Sequence, residues 1–311
     1  MKILVTGGAG FIGSHLVEKL INGGHYVICV DDFSSGLIRN IRENDLLKVV
    51  NNKIQNIELT DLQQNIDCIY HLAAQSSVPL SIDNYYKSSS NNLLGCLKVW
   101  DLAIKLDIPI VYASSSAVYG DLPIGNDKLE KYEILSPYAQ DKLTMEHYAR
   151  MCWNVYRIPS IGLRFFNVYG PRQDPTNPYS GVISIFIDRL MQNQPVTVNG
   201  GYQTRDFIFI KDIIEVMLRS MESLINKRSC DILNVGTGES ITIDYLLNTL
   251  ADIMRIKPKV VLKELLPGDP EQSGGSYESL IDILKIDINH FTKIEEGLKS
   301  TIEFISKDQG Q

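Results

Sequence analysis

Met1-Lys-Ile-Leu-Val-Thr6, Gly7-Gly-Ala-Gly10-Phe-Ile-Gly13 and Tyr26-Val-Ile-Cys-Val-Asp31-Asp-Phe-Ser-Ser-Gly36 fall within the first 36 residues of the chain. Ile3, Leu4 and Val5 form a short apolar run, as expected of a strand covered on both faces. Phe11, Ile12, Leu16, Val17 and Leu20 share one broad helical face, and Gly23-Gly24 stops that helix. Val27, Ile28 and Val30 predict a second buried strand, with Asp31 at its end.

Strand, glycine turn, helix, strand and terminal acid together read as a dinucleotide site. A helix N-terminus offers unpaired backbone N–H groups and a partial positive charge, so it holds a pyrophosphate. Glycines at positions 7, 10 and 13 let the backbone turn tightly and approach the phosphates. Asp31 follows them by about 20 residues, where an acid bonds the adenosine ribose hydroxyls. Its charge would repel a 2′-phosphate, which favours NAD over NADP.

The bounds on the whole chain agree. Its 311 residues suffice for one large domain or two unequal ones. Hydrophobic residues make up 44% and charged residues 22%, ordinary for a soluble globular protein. No apolar run is long enough to span a bilayer, and the N-terminus has no signal-peptide layout. A formal charge of −7 argues against nucleic acid as a partner. Cys29, Cys68, Cys96, Cys152 and Cys230 are odd in number and scattered in apolar contexts, which reads as reduced thiols and no metal site. These features point to the cytoplasm.

Strands and helices go on alternating. Leu46–Val50 predicts a third strand and Cys68-Ile-Tyr70 a fourth, running into His71-Leu-Ala-Ala74. Ser81–Leu106 predicts a long helix and Ile108–Tyr112 the fifth strand. This alternation is the mark of an α/β doubly wound parallel sheet, whose ligands bind outside the carboxyl ends of the strands. There stand Ala113-Ser-Ser-Ser-Ala-Val-Tyr-Gly120 and, after a loop, Ser136-Pro-Tyr-Ala-Gln-Asp-Lys142. Ser136 is an N-cap candidate with Pro137 at the first helical position, so Tyr138 and Lys142 project from one face. A Tyr near pKa 10 is a poor base at neutral pH, but a neighbouring ammonium and a positive nicotinamide favour its phenolate. Tyr138 is therefore the candidate acid/base for an alcohol that gives up hydride, with a Ser hydroxyl completing the proton path. His71, at a strand end, reads as structural.

Beyond Ile161–Arg164, the sixth strand, the chain enters a smaller C-terminal region. Helices are expected at Ile183–Met191, Ile213–Leu224 and Ile243–Met254, and strands at Val196–Val198, Phe207–Ile210 and Ile232–Val235. Gly268-Asp-Pro270 reads as a turn, and residues past Lys307 as a loose tail. The expected division is 1–170 for the dinucleotide half and 171–311 for the substrate half, with the two interleaved.

Further stretches carry a resemblance: Arg164-Phe-Phe-Asn-Val-Tyr-Gly-Pro-Arg172, Gln203-Thr-Arg-Asp-Phe207 and Asn234-Val-Gly-Thr-Gly238. With the motifs above, the chain resembles the extended short-chain dehydrogenases/reductases of the NAD-dependent epimerase/dehydratase family over nearly its whole length. It most resembles UDP-hexose 4-epimerases of the UDP-glucose and UDP-N-acetylglucosamine types. The resemblance implies a Rossmann-type sheet with a smaller α/β substrate region. It implies that Gly7, Gly10, Phe11, Ile12 and Gly13 hold the NAD pyrophosphate, and that Asp31, Asp32, Ser35 and Gly36 surround the adenosine ribose. Asp61 and Leu62 would meet the adenine, and Ala73, Ala74 and Asn92 would line the cofactor cleft. Lys142 would bond the nicotinamide ribose and tune Tyr138. Counted back from Tyr119, the catalytic hydroxyl falls on Ser115, with Ser116 left open.

For the sugar nucleotide, the resemblance implies Asn167, Val182, Asn199, Arg205, Asp269 and Ser273. Arg205 is the prime diphosphate candidate, since a guanidinium fork matches phosphate oxygens. Leu266 replaces an Arg usual in the family, and Asn199 stands where many members carry Phe or Tyr. Ser273 occupies a position that is bulky in members restricted to plain hexoses, so a small residue there leaves room for an N-acetyl group. Related dehydratases and decarboxylases place acids after the catalytic hydroxyl, where this chain has Ser116 and Ala117. The expected activity is therefore 4-epimerisation of a UDP-hexose through a 4-keto intermediate. The alternatives are a nucleotide-sugar reductase or dehydrogenase and a non-catalytic NAD-binding sensor. The helices Ser81–Leu106 and Pro137–Cys152 match the family's dimer pair, so a homodimer is expected; Trp100, Met145 and Trp153 near them are alternative core residues.

Overall fold

The computed structural model describes residues 1–62, 65–176, 180–265 and 269–309. Leu266 and Gly268 lie outside the described residues. In chain order the first elements are β1 (Lys2–Thr6), α1 (Phe11–Asn22), β2 (Tyr26–Asp31), β3 (Leu47–Asn51) and β4 (Cys68–His71). Then come α2 (Val78–Asp83), α3 (Tyr85–Leu106), β5 (Ile110–Ser115), α4 (Pro137–Tyr156) and β6 (Ser160–Phe165). They are followed by β7 (Asn167–Tyr169), α5 (Val182–Met191), β8 (Val196–Asn199), β9 (Thr204–Phe209), α6 (Ile210–Asn226) and β10 (Cys230–Val235). The last are β11 (Ser240–Thr242), α7 (Ile243–Met254), β12 (Val260–Lys263), α8 (Glu278–Leu284) and α9 (Ile294–Gln309).

The chain forms two compact units that interleave: 1–115, 136–164 and 214–233 in the first, and 116–135, 165–213 and 234–311 in the second. The seven-stranded parallel sheet runs β10-β6-β5-β4-β1-β2-β3. The strand order turns back at β1, where Thr6 pairs with Val30 on one side and His71 on the other. That turn-back is the switch point at which such sheets take ligands, and Gly7 begins there. Apolar strand residues are covered by helices: Leu4, Ile28, Ile69 and Ile110 join Val99 and Leu102 of α3 and Ala149 and Cys152 of α4 in one buried cluster. Trp100 and Met145 are buried in the same cluster. Trp100 meets Tyr112 edge to face, with ring centroids 5.9 Å apart.

In the second unit β9 lies between β11, antiparallel, and β7, parallel. β12 pairs with β8 in parallel, Val260 opposite Val196. Among the described residues no helix is long and apolar enough to cross a membrane, and no cluster of His, Cys, Asp or Glu is placed to hold a metal. All five cysteines are free thiols.

Three local expectations need correction. The long helix expected over Ser81–Leu106 is two helices, broken at Asn84, whose φ of −136° and ψ of 58° are not helical. The first begins earlier, because Ser77 Oγ caps it by accepting the Leu80 N–H at 3.2 Å and Pro79 fits its first turn. The fifth strand does not end at Tyr112 but continues to Ser115, carrying the serines within the strand. The tail past Lys307 is still helical to Gln309, since Leu298, Thr301 and Ile305 bury one face of α9 and Lys307 pairs with Glu303 at 2.7 Å.

Candidate active site

The glycine turn leads from β1 into α1. Gly7 has φ +72°, and a Cβ there would lie 2.7 Å from Ala73 N, so a side chain is excluded by both conformation and space. A Cβ on Gly13 would lie 2.1 Å from Gly7 O, so the helix sits directly against the turn. Gly10 is the N-cap and supplies no side-chain acceptor, so no side chain caps the first turn of α1. This arrangement fits a pyrophosphate.

Asp31 is held beside the turn. Its Oδ2 accepts from Ala9 N at 2.8 Å and its Oδ1 from Phe33 N at 2.9 Å. Burial raises its carboxyl pKa, and those two N–H groups oppose the rise. Gly36 packs against it: a Cβ there would meet Asp31 Oδ1 at 2.9 Å. Asp32 accepts from the Ser34 N–H and hydroxyl, and Ser35 is exposed beside it. Asp61 is exposed and accepts from Glu58 N at 2.8 Å, while Leu62 is wholly buried in the core. Its side chain is therefore spent on the core, and only its backbone can meet a ligand.

Thr6 joins β1 to β4. Its hydroxyl lies 2.7 Å from His71 Nδ1 and accepts from Leu72 N at 3.3 Å and Ala73 N at 3.2 Å. Burial lowers the His71 pKa to about 3, with Lys142 adding to the effect, so the ring is neutral. Ala73 and Ala74 are half-buried beside it. Asn92 on α3 is fully buried; it accepts from Gln75 N at 2.8 Å and donates to Gln75 O and to Asp141 Oδ2. It thus ties the segment after β4 to α3 and α4.

The Tyr–Lys pair sits on α4 as its spacing implies. Ser136 Oγ accepts the Ala139 N–H at 3.2 Å, and Ser81 Oγ accepts the Tyr138 N–H at 3.2 Å, so two first-turn donors are satisfied. Ser115, at the end of β5, hydrogen-bonds the Tyr138 phenol; Ser116 instead opens a 3₁₀ turn over Ser116–Tyr119 in the second unit. Burial raises the Tyr138 pKa, the Ser115 hydrogen bond lowers it and Asp141 raises it. Lys142 is fully buried, donates to Ala113 O at 2.7 Å and lies 5.6 Å from the Tyr138 ring centroid. Burial lowers its pKa from 10.5 to about 8, against the pull of Cys96, Asp141 and Glu146. Chemically, this is a phenol able to take or give one proton, a hydroxyl to steer it and a cation to favour its ionised form.

In the second unit, Arg205 on β9 is nearly buried; it donates from Nη2 to Asp269 Oδ1 at 2.5 Å and from Nη1 to Thr204 O at 2.7 Å. Asp269 thus acts on the candidate diphosphate ligand, holding its fork in place. Ser273 is laid against β9 through its carbonyl, which accepts from Asp206 N at 3.2 Å. Asn167 donates to Asp206 O at 3.0 Å, Val182 opens α5, and Asn199 ends β8 with its carbonyl accepting from Gln203 Nε2 at 2.6 Å. Residues that the motifs contain, but to which no role was given, do much of the holding. Asp206, fully buried, accepts from Thr237 N and Oγ1, Gly238 N and Tyr277 Oη. Asn234 bonds Tyr119, Gly125, Ser276 and, through its N–H, Asp127.

Residues 3–236 match the NAD dependent epimerase/dehydratase family, and the chain belongs to that family. It is therefore an enzyme type that works with NAD. A putative UDP-glucose 4-epimerase of Methanocaldococcus jannaschii is 35% identical over 317 residues, covering 98% of this chain and 99% of that one. Among solved structures, the UDP-glucose 4-epimerase of Thermotoga maritima with UDP-glucose superposes with a TM-score of 0.92 at 32% identity, over 99% of this chain and 100% of that one. The UDP-N-acetylglucosamine 4-epimerase of Methanobrevibacter ruminantium M1, in complex with UDP-N-acetylmuramic acid, gives 0.91 at 32% identity, over 99% and 98%. Since Asp31 would repel a 2′-phosphate, nucleotide released by acid from the purified protein is expected to be NAD. Chromatography that recovers mostly NADP would overturn the role given to Asp31.

Proposed function

We propose that the protein is a UDP-hexose 4-epimerase that oxidises C4 of the sugar, retains the 4-keto intermediate and returns hydride to its other face. The observation that carries this reading is the Ser115–Tyr138–Lys142 constellation at the carboxyl end of a parallel sheet. NAD, which Gly7, Gly10, Gly13 and Asp31 would hold, would supply a reversible hydride acceptor. Tyr138 takes the O4 proton as C4 is oxidised and gives it back on reduction. Ser115 orients the phenol and the sugar hydroxyl, and the Lys142 ammonium favours the phenolate. Ser116 and Ala117 follow without a carboxylate, so this turn offers no acid for dehydration or decarboxylation. Arg205 is proposed to grip the diphosphate, with Asn167, Val182, Asn199 and Ser273 around the uridine and sugar. A cytoplasmic setting accords with the five free thiols.

The test is product analysis with UDP-glucose, UDP-galactose, UDP-GlcNAc and UDP-GalNAc, with no cofactor added. Interconversion at C4 is expected for both pairs, because the small Ser273 does not reject an acetamido group. Ser273→Tyr is expected to depress the N-acetyl reaction selectively, by about 1–3 kcal/mol in kcat/KM, the scale on which a pocket discriminates an added group. Equal loss of both reactions would show that Ser273 is not the gate. Consumption of external NAD(H) would mark a dehydrogenase or reductase instead, and bound NAD without turnover a sensor.

The unit is also proposed to form a homodimer through α3 and α4. Leu94 and Leu97 on the first and Met151, Val155 and Tyr156 on the second are exposed. Light scattering is expected to give twice the 35.0 kDa chain mass, and Leu97→Glu with Val155→Glu to give the monomer. A monomeric parent protein would contradict this.

A further inference from the structure

Glu146 lies one turn beyond Lys142 on α4, as Lys142 lies one turn beyond Tyr138, so the three side chains leave the helix on one face. Each reaches one of the last three residues of β5. Tyr138 bonds the Ser115 hydroxyl, Lys142 donates to Ala113 O at 2.7 Å, and Glu146 Oε1 accepts from Ser114 Oγ at 2.5 Å. Arg164 on β6 holds the same carboxylate from the other side, Nε to Oε1 at 2.8 Å and Nη2 to Oε2 at 2.6 Å. Glu146, Arg164 and Ser114 are all buried.

Stability alone does not account for this cluster. Burying two charges forfeits their hydration, and replacing such a pair by apolar groups of similar volume commonly leaves a protein as stable or more so. What apolar groups would not supply is direction. A two-point guanidinium–carboxylate bond plus a short hydroxyl bond fixes one helix position against two strands, where packing alone tolerates sliding.

We propose, on the reading that Tyr138 and Lys142 perform the proton transfer, that Glu146 is a positioning residue. With Arg164 and Ser114 it sets the register of α4 against β5, and so the place of the Tyr138 phenol and the Lys142 ammonium. The groups facing that ammonium are the Tyr138 ring, Asp141 and Glu146 on α4, Cys96 on α3 and His71 on β4. A shift of the helix changes those distances and hence the Lys142 titration.

Two variants test this. Ser114→Ala removes one hydrogen bond and no charge, so a changed Lys142 titration together with a lowered kcat reports a moved helix. Glu146→Leu with Arg164→Met replaces the ion pair by apolar volume. Both are expected to fold and to keep NAD. For Ser114→Ala, kcat is expected to fall by roughly 3- to 10-fold, and for the double variant by roughly 10- to 100-fold, the scale of slight misplacement of reacting groups. KM for the UDP-sugar is expected to stay within about 2-fold, since the substrate-binding groups are untouched. Lysine labelled with ¹³C at Cε, followed by NMR, is expected to show Lys142 titrating at a different pH in Ser114→Ala and at a lower pH in the double variant. Unchanged kcat and unchanged titration in Ser114→Ala would overturn the proposal, even if the double variant does not fold. If the wild type turns over no UDP-sugar, the functional reading fails by itself. The Lys142 titration in Ser114→Ala then decides the positioning role alone, and an unchanged titration overturns it.

Discussion

Tyr138→Phe is expected to lose at least ~10²-fold in kcat, the usual contribution of a positioned general base, while NAD and UDP-sugar binding persist. The substitution removes one oxygen and leaves the ring, so the packing on α4 and the face turned to Lys142 are kept. What is lost is the atom that Ser115 bonds and that would hold the O4 proton. In the protein alone, burial keeps that proton on the phenol. The phenolate therefore depends on positive charge near it, from Lys142 within the chain and from the nicotinamide when bound. Retained NAD is read by its absorbance on the purified variant and retained sugar binding by calorimetry. If Tyr138→Phe epimerises at the wild-type rate, the proton path is wrong.

The dinucleotide half was legible because its chemistry is local. Strand, turn and helix follow one another within the first residues, and a glycine forced to φ +72° leaves a mark in the sequence. Tyr138 and Lys142 were legible for the same reason, since helical spacing alone puts them on one face. Glu146 continues that spacing by one more turn, and the pattern could have exposed it. Its partners could not be found that way: Ser114 is 32 residues away and Arg164 18, and the sheet order brings them together. Asp206 and Asn234 were quoted within motifs but given no role, because their bonds run to loops as far as 71 and 115 residues away. The break at Asn84 was missed for another reason. Apolar periodicity continues through α2 and α3, and only the Ser77 cap and the dihedrals of Asn84 separate them. The residues that hold Asp31 in place were likewise invisible, since they contribute backbone N–H groups whose side chains carry no signal.

Lys142→Met is expected to disable the enzyme and to stabilise the fold at neutral pH. Burial lowers the Lys142 pKa to about 8 from the ordinary 10.5. Below pH 8 the side chain is charged in both folded and unfolded chains, and the folded state bears the whole cost of burying it. At about 1.4 kcal/mol per pH unit, that cost is roughly 3 kcal/mol. Between pH 8 and 10.5 the folded chain has released the proton and the unfolded chain still binds it, so stability rises with pH across that window. Above 10.5 both states are neutral and the penalty is gone. Methionine carries no such penalty but gives up the charge-assisted bond to Ala113 O, about 2 kcal/mol. The variant is therefore expected to exceed wild type by roughly 1 kcal/mol at pH 7, with the difference shrinking from pH 8 upward. Urea unfolding at a series of pH values measures it. Activity should move the other way. Without the ammonium the Tyr138 phenolate forms less readily, so kcat is expected to fall by roughly 10²-fold near neutral pH and its rise to shift to higher pH. A variant less stable than wild type at pH 7 would show that the buried charge does not strain the fold, and an unmoved pH–rate profile would show that it does not act on Tyr138.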